Sequence, residues 1–144
     1  MKLTLETNIV TDDFFNETIL LGITTTIKNY KLCLLLNTFM GFHFKLNNNI
    51  EICISKRKRK YYFSVYESVL KNSTLVHYLY HNHNDGEYLL PEFKHIDFLW
   101  LMKGDILDTT QVEEIKTAIK TLNGVQMVAE LTNEQIKTKG NMIF

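Results

Sequence analysis

Five large apolar residues in succession, Phe98-Leu99-Trp100-Leu101-Met102, constrain this chain more than any other stretch. A continuous run of this length, ending near Gly104, reads as a buried central strand. The rest of the chain has to supply the neighbours that bury it. With 144 residues it can do so as a single domain spanning 1–144. Apolar residues make up 45% and charged residues 22%, the proportions of an ordinary globular protein rather than a disordered one.

The other elements follow from period and punctuation. The stretch from Ile19 to Thr26 mixes β-branched residues with Leu and Gly22 and predicts a strand; Lys2-Leu3-Thr4-Leu5-Glu6 alternates and predicts a short one. Asn29 stands in cap position before Tyr30 to Met40, a run of three helical turns stopped by Gly41. Because that run is apolar almost all round, the helix is expected deep in the core. Ile50 to Ile54 and Tyr61 to Tyr66 are rich in strand formers and flank a cationic run, which suits a hairpin. Leu75 to His81 predicts a further strand, followed by a turn at Asn82-His83-Asn84-Asp85-Gly86. Thr110-x-x-Glu113 forms a capping box for a second helix, with Val112, Ile115, Ile119 and Leu122 on one face and Asn123-Gly124 at its end. Val125, Met127, Ala129 and Leu131 alternate as a last strand in which Val128 is irregular, and Thr132-x-x-Gln135 opens a short C-terminal helix. The expected class is α+β in two layers: a mostly antiparallel sheet of about six strands with two main helices. A helix between strands 98–102 and 125–130 is compatible with a right-handed parallel crossover.

The central strand is preceded by Leu90-Pro91-Glu92-Phe93-Lys94-His95-Ile96-Asp97. With Phe98, this string resembles the signature of the IPExxxVDY family of small bacterial proteins, chiefly from Bacteroidetes. Pro91, Glu92 and Asp97 match the pattern, whereas Leu90, Ile96 and Phe98 stand where it has Ile, Val and Tyr. Gly22-Ile23, Asn29-Tyr30-Lys31-Leu32, Asn37 and the terminal Lys139-Gly140-Asn141-Met142-Ile143-Phe144 are similar to family features at their usual places. The resemblance thus runs from about Ile19 to Phe144. The family is named for its string and not for an activity, so the resemblance implies no chemistry.

Three groups of residues invite a functional reading. Glu92, His95 and Asp97 form two carboxylates and an imidazole within six residues, the material of a general acid–base set. A structural account competes with it. Pro91 suits the first position of a helical turn, Glu92 favours its positive end, Phe93 and Ile96 point inward, and Asp97 accepts backbone N–H bonds where the turn joins the strand. His81-x-His83 has strand spacing for a zinc ion, with Asp85, His77 or His43 as further ligands, although a solvated face running into a polar turn explains the same residues. Lys56-Arg57-Lys58-Arg59-Lys60, followed by Tyr61 and Tyr62, could grip phosphates and stack bases; a charged hairpin tip is the alternative. Asp12-Asp13 with Glu17 reads as a solvated acidic turn.

Charge and motif content narrow the classes further. Sixteen basic residues cancel sixteen acidic ones, so attraction to nucleic acid or an anionic membrane would need a local patch. Cys33 and Cys53 sit in apolar stretches without Cys-x-x-Cys spacing and read as reduced core residues of a cytoplasmic protein. The first residues have no apolar signal region, and the longest oily stretch is interrupted by Lys28, Asn29 and Lys31, so no membrane association is expected. There is no Gly-rich phosphate loop, no Gly-x-Ser-x-Gly elbow and no His-Glu-x-x-His, and no cofactor is expected. The leading expectation is a non-enzymatic protein-interaction module, a homodimer, with Phe14-Phe15, Phe42 with Phe44, and Tyr61-Tyr62 as candidate interface aromatics. An enzyme or metal-binding protein centred on Glu92, His95, Asp97 and His81/His83 is the alternative, and a polyanion binder is the third class.

Overall fold

A computed structural model describes residues 11–70, 74–104, 109–132 and 134–144; the strand expected at 2–6 lies outside them. Helix α1 covers residues 11–15 of the described chain. It is followed by β1 (Thr18–Thr25), α2 (Asn29–Met40), β2 (Lys45–Leu46), β3 (Ile52–Lys56), β4 (Arg59–Phe63), β5 (Val65–Val69) and β6 (Val76–His81). Then come β7 (His83–Asn84), β8 (Glu87–Tyr88), a 3-10 turn (Pro91–Phe93), β9 (Phe98–Lys103), α3 (Thr109–Lys120), β10 (Val125–Leu131) and a second 3-10 turn (Lys139–Met142). The fold is α+β.

The main sheet has the order β10-β1-β9-β6-β5-β2, and every adjacent pair is antiparallel. β9 lies in its interior with all of Phe98 to Met102 buried, as that apolar run demands. β9 and β10 point the same way but do not touch, because β1 runs between them. The helical connection is therefore a crossover over an intervening antiparallel strand.

Side chains alternate between two clusters. Leu21, Ile23, Leu79, Phe98, Trp100 and Met102 face the helices, together with Leu32 and Leu36 of α2 and Val112 and Ile119 of α3. Leu20, Leu99, Leu101, Tyr80 and Val65 face the other way, under the β3–β4 hairpin, the 89–96 segment and the C-terminal Ile136 and Met142. Gly22 is needed on this second face: a Cβ there would meet Ile96 Cδ1 at 2.6 Å.

Several local expectations change. Lys28, not Asn29, is the N-cap of α2; the Asn29 amide instead donates to the Tyr66 hydroxyl at 2.8 Å. α2 is not buried all round, since Leu32, Cys33 and Leu36 face the sheet while Tyr30, Leu34 and Phe39 face solvent. Thr110 lies inside α3 and does not cap it. In β10 the register slips by one residue between Thr24 and Thr25 of β1, so Gln126 is extra. This bulge brings Val125 and Val128 to the same helix-facing cluster and explains why Val128 broke the expected alternation. Thr132 and Gln135 close a turn through Gln135 N–H to Thr132 O (3.0 Å), and the terminal helical turn begins only at Lys139.

Candidate functional site

The segment before β9 is organised by a residue with no conspicuous chemistry, Asn82. β6 ends at His81, and Asn82 turns inward, fully buried. Its amide nitrogen donates to Phe93 O (3.1 Å) and Ile96 O (2.8 Å), and its side-chain oxygen accepts from Leu90 N–H (2.8 Å). Its main chain donates to Asp97 O and accepts from Leu89 N–H. One side chain thus satisfies both ends of the loop that Pro91 starts. Leu90, held in extended backbone as residues before proline are, enters the 3-10 turn, and Ile96 closes onto Gly22.

The three candidate acid–base residues leave this loop in different directions. Glu92 accepts from Lys137 N–H (2.6 Å), Thr138 N–H (2.8 Å) and the Thr138 hydroxyl, fastening the C-terminal segment. Partial burial opposes its ionisation, but the hydrogen bonds from Thr138, its own backbone and Lys137 outweigh that and hold the carboxyl below the ordinary Glu value. Asp97 accepts from Thr25 N–H (2.9 Å) and donates its own N–H to Ile23 O, tying the loop to β1. His95 is exposed; its carbonyl accepts from the Thr24 hydroxyl at 2.7 Å and its ring meets the edge of Phe93, with centroids 6.3 Å apart. The two carboxylates serve as backbone clamps on different elements.

The histidines are dispersed as well. His77 is buried beside Phe42, Phe44 and Trp100, and its Nδ1 accepts the Trp100 indole N–H at 3.0 Å. Burial pushes its pKa down to about 4, so at neutral pH it is a neutral acceptor. His81 stacks on Phe98 with ring centroids 5.0 Å apart, and burial, then His83, lower its pKa against the opposing pull of Asp97. His83 lies against Tyr88, Asp85 pairs with Arg59, and His43 is exposed. Among the described residues no three His, Cys, Asp or Glu side chains gather as a metal site.

The basic run forms a two-residue turn, Arg57-Lys58, between β3 and β4. Lys56 pairs with Glu87 at 3.1 Å and Arg59 with Asp85, which joins the basic tip to the β7–β8 hairpin. Arg57, Lys58 and Lys60 are exposed without an acidic partner among the described residues.

The aromatic pairs divide. Phe14, Phe15, Phe42 and Phe44 are buried in the chain's own core, which removes them as interface candidates, and Tyr61 is half-buried; Tyr62 is exposed. The larger exposed apolar surface is on α2, where Tyr30 is 69%, Leu34 62% and Phe39 71% exposed. Beside them, Lys31, Leu35 and Phe39 form a shallow groove with Thr121, Leu122 and Asn123 at the end of α3. Sequence reading missed this surface because α2 is oily on every side; the missing signal is which half the sheet covers. Asn82 was missed because a turn-like Asn-His-Asn-Asp-Gly string gives no sign that its first residue is buried.

No helix among the described residues is long and apolar enough to cross a membrane. No family model, curated protein or solved structure matches the chain.

Proposed function

We propose that this is a non-enzymatic cytoplasmic module of the IPExxxVDY type that acts through protein–protein contacts as a homo-oligomer, and that the solvent half of α2 is its docking surface. The observation that supports this most is the exposure of Tyr30, Leu34 and Phe39 on one helix, with Phe39 lining a groove that also holds the apolar Leu35 and Leu122. Scattered surface apolar residues are ordinary, whereas two aromatics and a leucine on one short helix are the anchors a partner buries. The helix has no carboxylate and a single lysine, Lys31, so desolvating this half strands little charge. Glu92 and Asp97 are occupied by backbone N–H groups, which favours a folding role for the signature string. The free thiols of buried Cys33 and of Cys53, which is exposed on β3 and not in the core as its apolar stretch suggests, fit a reducing compartment.

The test is paired capture from the native extract with wild type and a Leu34→Glu/Phe39→Glu double variant as bait. A protein retained by the first and lost by the second supports the reading; identical recoveries contradict it.

A second reading, polyanion binding, has its own observation. Arg57 and Lys58 both adopt left-handed backbone (φ 53° and 65°), where Asn-Gly would be relaxed. Cations are kept there at a conformational cost, next to Lys60 and the exposed Tyr62. A salt-sensitive shift with mixed single-stranded RNA or DNA, lost when residues 56–60 are replaced by Gln, would favour it; no shift would remove it.

A further inference from the structure

The two edges of the main sheet are not alike. At one end β2 is two residues long and carries Lys45, a short and charged edge of the kind that resists further pairing. At the other end β10 runs for seven residues, Val125-Gln126-Met127-Val128-Ala129-Glu130-Leu131, with no proline, no lysine and one carboxylate. Among the described residues nothing pairs with its outer side.

Which groups β10 presents follows from its partner. Ile23 of β1 gives its carbonyl to Asp97 N–H, on the β9 side. Main-chain groups alternate sides along an antiparallel strand, so the Ile23↔Val128 pair is not hydrogen-bonded. Val128 and Glu130 therefore turn their N–H and C=O groups outward, while Met127, Ala129 and Leu131 bond to β1. Regular pairing with β1 covers Met127 to Leu131, and its middle residue is Ala129.

We propose that β10 pairs antiparallel with β10 of a second copy about a twofold axis at Ala129, giving one continuous sheet through both chains. It rests on the interaction-module reading only for self-association, and uses a surface other than α2. The register follows from the strand itself. Val128 exchanges main-chain hydrogen bonds with the second copy's Glu130 on each side of the axis. The two Ala129 residues then form the close, non-hydrogen-bonded pair, at about 4.5 Å between Cα atoms, where a small side chain fits. Met127, exposed in the single chain, covers the other copy's Leu131. Glu130 lies opposite Val128 and not opposite its own copy. The Gln126 bulge ends the pairing on each side. Such an isologous contact closes at two copies, whereas β10-to-β2 pairing would not. Because α3 packs along β10 and α2 ties to β5 through Asn29 and Tyr66, the dimer leaves both α2 faces free.

Sedimentation velocity across a concentration series tests this with Glu130→Pro, which deletes an outward N–H that the chain's own sheet does not use, and with Met127→Lys at an exposed position. The expected result is a wild-type dimer weakened on the order of 100-fold by Glu130→Pro and ~10-fold by Met127→Lys, with thermal unfolding preserved in the latter. A wild-type monomer at about 100 µM overturns the proposal, as does a dimer that both variants leave intact. Should Glu130→Pro impair folding, Met127→Lys alone decides. A dimer lost only with Phe39→Glu overturns β10 pairing and places self-association on α2, so the two readings fail separately.

Discussion

The loop around Asn82 and the outer half of α2 invert the usual rule in opposite directions. The loop is polar and buried: Asn82 is fully enclosed, and Glu92 and Asp97 turn their carboxylates to neighbouring backbone. The α2 surface is apolar and open, with Tyr30, Leu34 and Phe39 in solvent. Residue chemistry alone would have put function in the first and packing in the second. Their partners point the other way. A polar residue whose every hydrogen-bonding atom is matched within the chain is part of the scaffold, and the exposed apolar residues of α2 are what the proposed docking surface rests on.

The most damaging way to break this contrast is Asn82→Leu, which keeps the branching of the side chain but takes from Leu90 N–H and Ile96 O the partner Asn82 supplies, leaving Phe93 O with Ile96 N–H alone. We expect a loss of about 4 kcal/mol in urea unfolding, and a loss under 1 kcal/mol would show that the loop does not depend on this residue.

The next effect is pH-dependent and belongs to the other buried polar pair, His77 and Trp100. The folded His77 pKa of about 4 lies below the ordinary 6.5, so the unfolded chain binds its proton first on acidification. The stability contributed by neutral His77 is complete above pH 6.5 and is lost progressively as pH falls through 4. It amounts to about 3 kcal/mol, to be read from unfolding midpoints between pH 7 and 4. A flat profile over that range would contradict a neutral, enclosed imidazole.

Glu92→Gln retains the shape of the clamp but removes the charge from its hydrogen bonds with Lys137 and Thr138. A loss of about 1.5 kcal/mol is expected, with faster proteolysis after residue 132. Unchanged proteolysis would mean that the segment's other attachments, buried Ile136 and Met142 with the Tyr80 hydroxyl on Met142 O and the Asn141 amide on Leu89 O, hold it without Glu92.

The smallest stability effect is expected on the proposed docking surface. Leu34→Glu and Phe39→Glu should each shift unfolding by no more than about 0.5 kcal/mol, because neither side chain packs in the core. A loss near 3 kcal/mol at either position would mean that the α2 surface is scaffold after all.

Much of the architecture was legible because single residues dictated it. Five unbroken apolar residues place β9 inside the sheet, Val112 and Ile119 set the buried face of α3, and Asp85-Gly86 turns β7 into β8. Pro91 fixes the start of its 3-10 turn, with Ile96 buried, Phe93 packed against the core, and Lys94 and His95 outside. What stayed hidden depends on partners distant in sequence. The exposed half of α2 is defined by where the sheet stops, the parity of β10 by a bulge opposite Thr24 and Thr25, and the clamping role of Glu92 by a segment 45 residues later. Phe42 and Phe44 look like surface aromatics until Trp100 and His77 are set beside them.

Native mass spectrometry on protein purified without a metal-affinity column tests the central claim most directly, because it reports subunit number and retained mass together. An interaction module predicts a dimer with the mass of two bare chains. A monomer that retains the mass of a metal, a small molecule or an oligonucleotide would contradict it.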